Sequence, residues 1–237
     1  MAATPRDRFT SRSQAAARFV AQRGLLKAVV WSVTSVTVIG RERLKDIDGS
    51  YVVVANHSSH LDAPLIQGSM PRKLARYLAA GAAADYFFDV WWRRRLTALF
   101  FNAFPVDRTG SAKRSVSAKE LLARGVPLLV FPEGTRSKDG TVAPFKPGAA
   151  ALAASADVPI IPVALVGAHQ AHPRGSKWPK AGRQPVAVVF GDPMTIQPGE
   201  TAQAFAARIR SIIVGLLDEH SERVLGRSAA TPEGDPQ

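Results

Sequence analysis

His57 and Asp62 stand five residues apart in Asn56-His57-Ser58-Ser59-His60-Leu61-Asp62, a stretch that follows the apolar run Tyr51-Val52-Val53-Val54-Ala55 and precedes Ala63-Pro64. The pair suits general-base catalysis. Neutral imidazole, with a pKa of roughly 6.5, accepts a proton near physiological pH, and a carboxylate on its other nitrogen fixes the tautomer and stabilises the imidazolium that forms. On a regular helix residues five apart lie about 140° round the axis, so the two side chains can meet only across a turn. No nucleophilic serine is required, because an alcohol held against His57 can itself attack an activated acyl group. The same residues also fit a plainer arrangement, with Asp62 as a helix N-cap and His57 as a hydrogen-bonded residue at a strand end.

A second stretch with chemical content is Pro132-Glu133-Gly134-Thr135-Arg136-Ser137, which follows Leu128-Leu129-Val130-Phe131. Gly134 lets the backbone approach a ligand closely, and Thr135, Arg136 and Ser137 offer a hydroxyl, a planar guanidinium and a second hydroxyl. Such a set fits a phosphate monoester, which arginine binds bidentately. Glu133 has no place in a site that binds anions alone, and orients Arg136 or binds the hydroxyls of a polyol instead. A strand followed by a loop with a surface salt bridge is the alternative.

Both stretches need a scaffold that ends a buried strand in a turn. Val52, Val53 and Val54 are β-branched and run without alternation, as in a strand covered on both faces. Pro64 is tolerated only in the first turn of a helix, so His57 is placed in a strand-to-helix turn, where catalytic groups of α/β proteins gather. In chain order the pattern predicts a helix-forming run from residue 14 to 31, a strand over 35–39 ended by Gly40, the strand before His57, a short helix over 63–68 and a strand over 74–80. An aromatic helix over 86–101 follows, closed by Phe104-Pro105-Val106-Asp107-Arg108 leading into a loop. The remaining elements are a helix over 116–124, strands over 128–131, 160–166 and 186–190, a small-residue helix over 146–156 and a long helix over 200–222. Alternating strands and helices of these lengths indicate an α/β fold with a largely parallel central sheet flanked by helices. At 237 residues the chain suffices for one such core. The expected organisation is a disordered basic arm over 1–14, a single domain over 15–226 and a disordered tail over 227–237.

Lys and Arg number 31 against 19 Asp and Glu, a formal charge of +12, which draws an anionic partner over several ångströms. Nucleic acid is disfavoured as that partner: there is no zinc-finger spacing and no RNP-type aromatic motif, and the basic residues are scattered instead of gathered on one reading helix. An anionic membrane surface is favoured by Tyr86, Phe87, Phe88, Trp91, Trp92, Leu96, Leu99, Phe100 and Phe101, which crowd around Arg93, Arg94 and Arg95. Apolar-aromatic surface beside arginines is the make-up of an interfacial helix, although the stripe Phe88, Trp92, Leu96, Leu99 would also serve to pack on the sheet. Residues 1–23 carry five arginines and one acid, Asp7, and no run there reaches the roughly 20 apolar residues of a membrane span.

Without cysteine the chain has no disulfide framework, no Cys-ligated zinc and no thiol nucleophile. No GxSxG, Walker A or GxGxxG sequence occurs, which leaves serine hydrolases, P-loop enzymes and Rossmann dehydrogenases unsupported. A rival reading is a metal-dependent hydrolase, since His57, His60, Asp62, His169 and His172 contain two HxxH pairs and a carboxylate. A non-enzymatic lipid-binding module is another.

The first stretch resembles the NHx4D block of the glycerolipid acyltransferases, the 1-acyl-glycerol-3-phosphate (lysophosphatidic acid) acyltransferase family. Phe104 to Arg108 is similar to that family's second block, Phe131-Pro132-Glu133-Gly134-Thr135-Arg136-Ser137 to the third, and Val158-Pro159-Ile160-Ile161-Pro162-Val163 to the fourth. Four blocks in the family's order weigh far more than any one alone. The resemblance implies His57 as general base and Asp62 as its orienting partner. It also implies Arg108, Glu133, Gly134 and Arg136 in binding the acceptor's glycerol phosphate, to which the residue reading adds the Thr135 hydroxyl, with Pro162 on a wall of the site. It implies an acyl thioester, acyl-CoA or acyl carrier protein, as donor, a lysophospholipid as acceptor and no cofactor or metal. A peripheral protein on the cytoplasmic face of the membrane is the location expected.

Overall fold

The computed structural model describes residues 9–83, 99–106 and 118–226. The N-terminal helix is continuous, with α1 (Arg12–Phe19) passing through a π-helical stretch (Val20–Leu26) into α2 (Lys27–Val33), and β1 (Thr34–Ile39) follows. Next come β2 (Val52–Ala55), α3 (Asp62–Ser69), α4 (Arg72–Ala75), β3 (Ala79–Ala83) and β4 (Phe104–Val106). The second half contributes α5 (Ala118–Ala123), β5 (Leu128–Val130), α6 (Gly148–Ala156), β6 (Ile160–Val166), α7 (Ala168–Ala171), β7 (Gln184–Phe190) and α8 (Ala202–Leu225).

Among the described residues the strands form one seven-stranded sheet in the order β1-β7-β6-β2-β5-β3-β4. Every pairing is parallel except β6 with β7. That exception has a local cause: β6 and β7 are neighbours joined by a return connection on one edge, which brings the chain back antiparallel. Gly167 makes the return possible, with φ at +80° and a backbone so near the Pro185 carbonyl that a Cβ would stand 2.3 Å from its oxygen.

β2 lies at the centre and is buried on both faces, as its unbroken run of β-branched residues predicts. Val52 and Val54 pack with Leu128, Ile160 and Ala164 beneath Ala149 and Ala153 of α6 and Phe205, Ile209 and Ile213 of α8. Val53 and Ala55 point the other way, into Leu129, Ile161 and Val163 and onto Val30 of α2 and Leu65 and Ile66 of α3. Each fully buried valine contributes about 1.5–3 kcal/mol, so the strand that carries His57 is among the best-anchored parts of the chain. Because β2, β5 and β6 are mutually parallel, the turns after all three emerge along one edge of the sheet, the position where open α/β sheets bind ligands.

Three expectations need correction. The predicted disordered arm over 1–14 is too long: Phe9 is buried in the core, Arg18 donates to its carbonyl at 3.4 Å, and the helix begins at Arg12. The strand expected over 74–80 starts only at Ala79. Pro71 presets the backbone of a first helical turn, and the amides of Leu74 and Ala75 bond back to its carbonyl at 3.1 and 2.9 Å. Phe104–Val106 is not a loop entrance but β4, an edge strand on β3 that tolerates Pro105 because an edge can spare a donor. The preceding Asn102, at φ +50° with its side chain on the Tyr77 carbonyl at 3.1 Å, turns the chain out of its helix into that strand. Most of the aromatic cluster over 86–101, Arg108 and the tail over 227–237 lie outside the described residues.

Candidate active site

Asp62 is the first residue of α3, and its carboxylate turns back over the chain that delivers it. Oδ2 accepts the amides of Ser58 and Ser59 at 2.7 and 2.8 Å and meets His57 Nδ1 at 2.7 Å. Its side chain is wholly buried, whereas that of His57 keeps 23% of its surface. The carboxylate is therefore fixed by main-chain donors before it orients the imidazole. With Nδ1–H committed to Asp62, Nε2 is the nitrogen that can take a proton from a substrate. The N-cap alternative does not describe this geometry, since the carboxylate serves the residues before the helix.

The second stretch clamps His57 from the other side. The His57 amide donates to Glu133 Oε1 at 2.7 Å, and its carbonyl accepts the Ser137 amide at 2.7 Å. Phe131 stacks on the imidazole with ring centroids 4.1 Å apart and planes 17° from parallel. Glu133 Oε2 accepts the Ala143 amide at 3.0 Å, so this buried carboxylate ties together both strand-end turns and the loop before α6. Burial raises its pKa, and the two amides oppose that rise. Each oxygen of the Glu133 carboxylate accepts a main-chain amide, an arrangement that positions the backbone of His57.

Gly134 has φ at +76°, and a Cβ there would stand 3.0 Å from the ammonium of Lys146. Arg136 is close enough to His60 for its charge to depress the imidazole's pKa, and Thr135, between Gly134 and Arg136 in the chain, is exposed. A lysine and an arginine thus flank the glycine turn beside His57. In the sequence Lys146 marks only the start of a helix, and nothing in its spacing sets it apart, because the fold alone brings it over Gly134. Asn56 proves to be structural: its side-chain amide donates to the Leu165 carbonyl at 3.2 Å and accepts the Leu165 amide at 2.8 Å, pinning the end of β2 to β6. Pro162 lies inside β6, in register with Val54, with its ring against Gly191. His60 and His172 approach with ring centroids 5.8 Å apart, and among the described residues no three His, Asp or Glu side chains gather as they would around a metal ion.

Fold and site together define a class: a predominantly parallel α/β protein with an aspartate-oriented histidine at the carboxyl edge of its sheet and basic side chains beside it. A family model described as acyltransferase matches residues 35–166, and the chain belongs to the acyltransferase family. It is 38% identical over 145 residues to a 1-acyl-sn-glycerol-3-phosphate acyltransferase of Chlamydomonas reinhardtii, covering 60% of this chain and 42% of that protein. It is 32% identical over 178 residues to 1-acyl-sn-glycerol-3-phosphate acyltransferase alpha of Bos taurus, covering 72% of this chain and 59% of the relative. The chain thus spans about half the length of these relatives. Its structure superposes on the crystal structure of the 1-acyl-sn-glycerophosphate (LPA) acyltransferase PlsC from Thermotoga maritima with a TM-score of 0.66 at 27% identity, covering 90% of this chain and 85% of that one.

Proposed function

We propose that this protein transfers a fatty acyl group from a thioester, on CoA or acyl carrier protein, to the free hydroxyl of a lysophospholipid, 1-acylglycerol 3-phosphate, giving phosphatidic acid. The observation that carries the reading is the His57–Asp62 pair, with its carboxylate buried and immobilised and its imidazole open to a substrate. An unassisted alcohol is far too weak an acid to ionise at neutral pH, so the proton leaves during attack, a contribution typically of about 10² to 10⁴ in rate. His57 Nε2 takes that proton as the hydroxyl oxygen bonds to the thioester carbonyl carbon. As the tetrahedral intermediate collapses the C–S bond breaks, and the imidazolium returns the proton to the departing thiolate. A thioester is already activated, so the reaction as written needs no cofactor and no covalent enzyme intermediate.

The acceptor's phosphate is assigned to Arg136 and Lys146, with Gly134 keeping the space between them free of side chain. Arg108, outside the described residues, is assigned to the same phosphate on the family resemblance alone. No helix among the described residues is long and apolar enough to cross a membrane, and we place the protein peripherally on the cytoplasmic face of an anionic bilayer. The test is thiol release from palmitoyl-CoA with and without lysophosphatidic acid, with phosphatidic acid followed as product. Acceptor-dependent release supports the reading; release that ignores the acceptor makes the protein a thioesterase.

A further inference from the structure

β6 ends on the same edge of the sheet as β2 and β5, and the chain returns to β7 through residues 172–183. Most of that return is Pro173-Arg174-Gly175-Ser176-Lys177-Trp178-Pro179-Lys180-Ala181-Gly182-Arg183, with four cations, no acid and one tryptophan. Trp178 is 81% exposed, more than any other large apolar side chain among the described residues, and all four cations are exposed with it. Three contacts fix where the loop sits. Arg174 Nη1 donates to the Arg136 carbonyl at 2.9 Å, and His172, just before the loop, faces His60. At the far end Arg183 Nη2 donates to the Trp31 carbonyl at 3.1 Å. The loop therefore runs from the rim of the His57 site to α2, and the helix it reaches leaves Val20, Leu25 and Val29 exposed.

An indole in water contributes nothing to the core, whereas its apolar body and single N–H suit the headgroup layer of a bilayer. Cations without neighbouring acids suit an anionic leaflet, where each adds attraction near the surface. We propose that residues 173–183 are an interfacial anchor: Trp178 enters the headgroup layer of an anionic phospholipid bilayer, Arg174, Lys177, Lys180 and Arg183 hold its surface, and the mouth of the His57 site is thereby seated on the membrane. The nucleotide end of a soluble donor would also find an aromatic ring and cations here. The bilayer is favoured because the N-terminal helix, which Arg183 reaches at Trp31, exposes Val20, Leu25 and Val29 as well, and a soluble donor does not require them. The proposal uses the lysophospholipid reading only to explain why the mouth should face lipid.

The experiment uses the full chain and phosphatidylcholine vesicles with and without phosphatidylglycerol. Trp178→Ala should lower partitioning onto the anionic vesicles severalfold. The double variant Lys177→Glu, Lys180→Glu should lower it by about tenfold or more, since each lysine near the surface accounts for about fivefold and the glutamates add repulsion. With a dissolved short-chain lysophospholipid both should keep wild-type turnover, and with vesicle-borne acceptor both should lose rate in step with binding. In brominated-lipid vesicles Trp178→Phe should show less quenching than wild type. Wild-type partitioning by both variants overturns the anchor, as does equal quenching. Unchanged partitioning with a raised KM for acyl-CoA overturns it too, and assigns the loop to the donor. Because partitioning needs no turnover, a protein inactive on lysophosphatidic acid that still binds through this loop would sink the proposed function and leave the anchor standing.

Discussion

Within residues 57–62 the side-chain bonds around His57 are local: Asp62 reaches His57, Ser58 and Ser59, and the Ser59 hydroxyl accepts the Leu61 amide at 3.1 Å. Within residues 131–146 the ties run far along the chain. Glu133 grips His57 and Ala143, the Arg136 carbonyl is held by Arg174, and the Val142 and Ala143 carbonyls accept Arg210 of α8 at 2.6 and 3.1 Å. The side chains of the first turn are tied to one another, with Glu133 and Ser137 holding the His57 main chain from outside, and the second turn takes its geometry from the finished fold. On the proposed function, proton transfer, which tolerates little misplacement, falls to the first turn, and recognition of an acceptor's charge to the turn that the rest of the protein shapes.

The largest effect should fall on the local turn. His57→Ala should lower kcat by at least about 10²-fold while lysophosphatidic acid still binds, because only the transition state uses the base. Asp62→Asn should fold and lose somewhat less. Turnover above half of wild type in His57→Ala would remove the base and with it the division between the turns.

The next effect belongs to the second turn and to a different constant. A guanidinium on the acceptor's phosphate acts in ground and transition states alike, so Arg136→Ala should raise the acceptor KM roughly tenfold or more, the ~1.5 to 3 kcal/mol of a charged hydrogen bond, with the donor KM little changed. Arg136→Lys should recover part of that, keeping the charge and losing the planar fork. A raised donor KM with the acceptor KM intact would reverse the assignment of the two halves of the site.

The same division explains what was legible in the sequence. The His57–Asp62 pair and its turn follow from a β-branched run, a spacing of five and Pro64, all within a few residues of one another. β2, β5, β6, β7 and α8 follow likewise from runs that name their own burial. Lys146 beside Gly134 and the Glu133 bridge to Ala143 depend on where β5 and α6 meet, and no local pattern encodes that. The antiparallel pairing of β7 with β6 is not legible, because a buried strand reads the same in either direction. β4 is not legible either, because Pro105 argues against a strand except at an edge, and edges are known only once the sheet is assembled.

Glu133 is where the two turns depend on each other. Replacing its carboxylate by Gln removes one of two acceptors for buried amides and points an NH₂ at a donor, which costs about 1–3 kcal/mol. Glu133→Gln should lower the denaturation midpoint accordingly and reduce kcat by less than His57→Ala does, with the acceptor KM nearly unchanged. An unaltered midpoint would mean that the second turn does not clamp the first.

The smallest effect sharpens the comparison most, because His60 belongs to the local turn and takes much of its electrostatic environment from the other. Burial first, then the charges of Arg136, His172 and His57, lower its pKa from 6.5 to about 4 against a weaker opposing pull from Asp62. A lowered folded pKa means that the unfolded chain protonates first as acid is added. The associated stability is therefore fully present above pH 6.5 and lost as the pH falls toward about 4. His60 is exposed enough for solvent to screen much of this, so the slope should be shallow. Urea midpoints measured across that window should fall less for His60→Asn than for wild type. Arg136→Ala should also flatten the curve, by a smaller margin, since it removes the first of the charges and leaves the burial. Equal slopes in wild type and His60→Asn would place the acid sensitivity elsewhere. A flattened slope in His60→Asn with none in Arg136→Ala would show that the Arg136 charge does not couple the two turns.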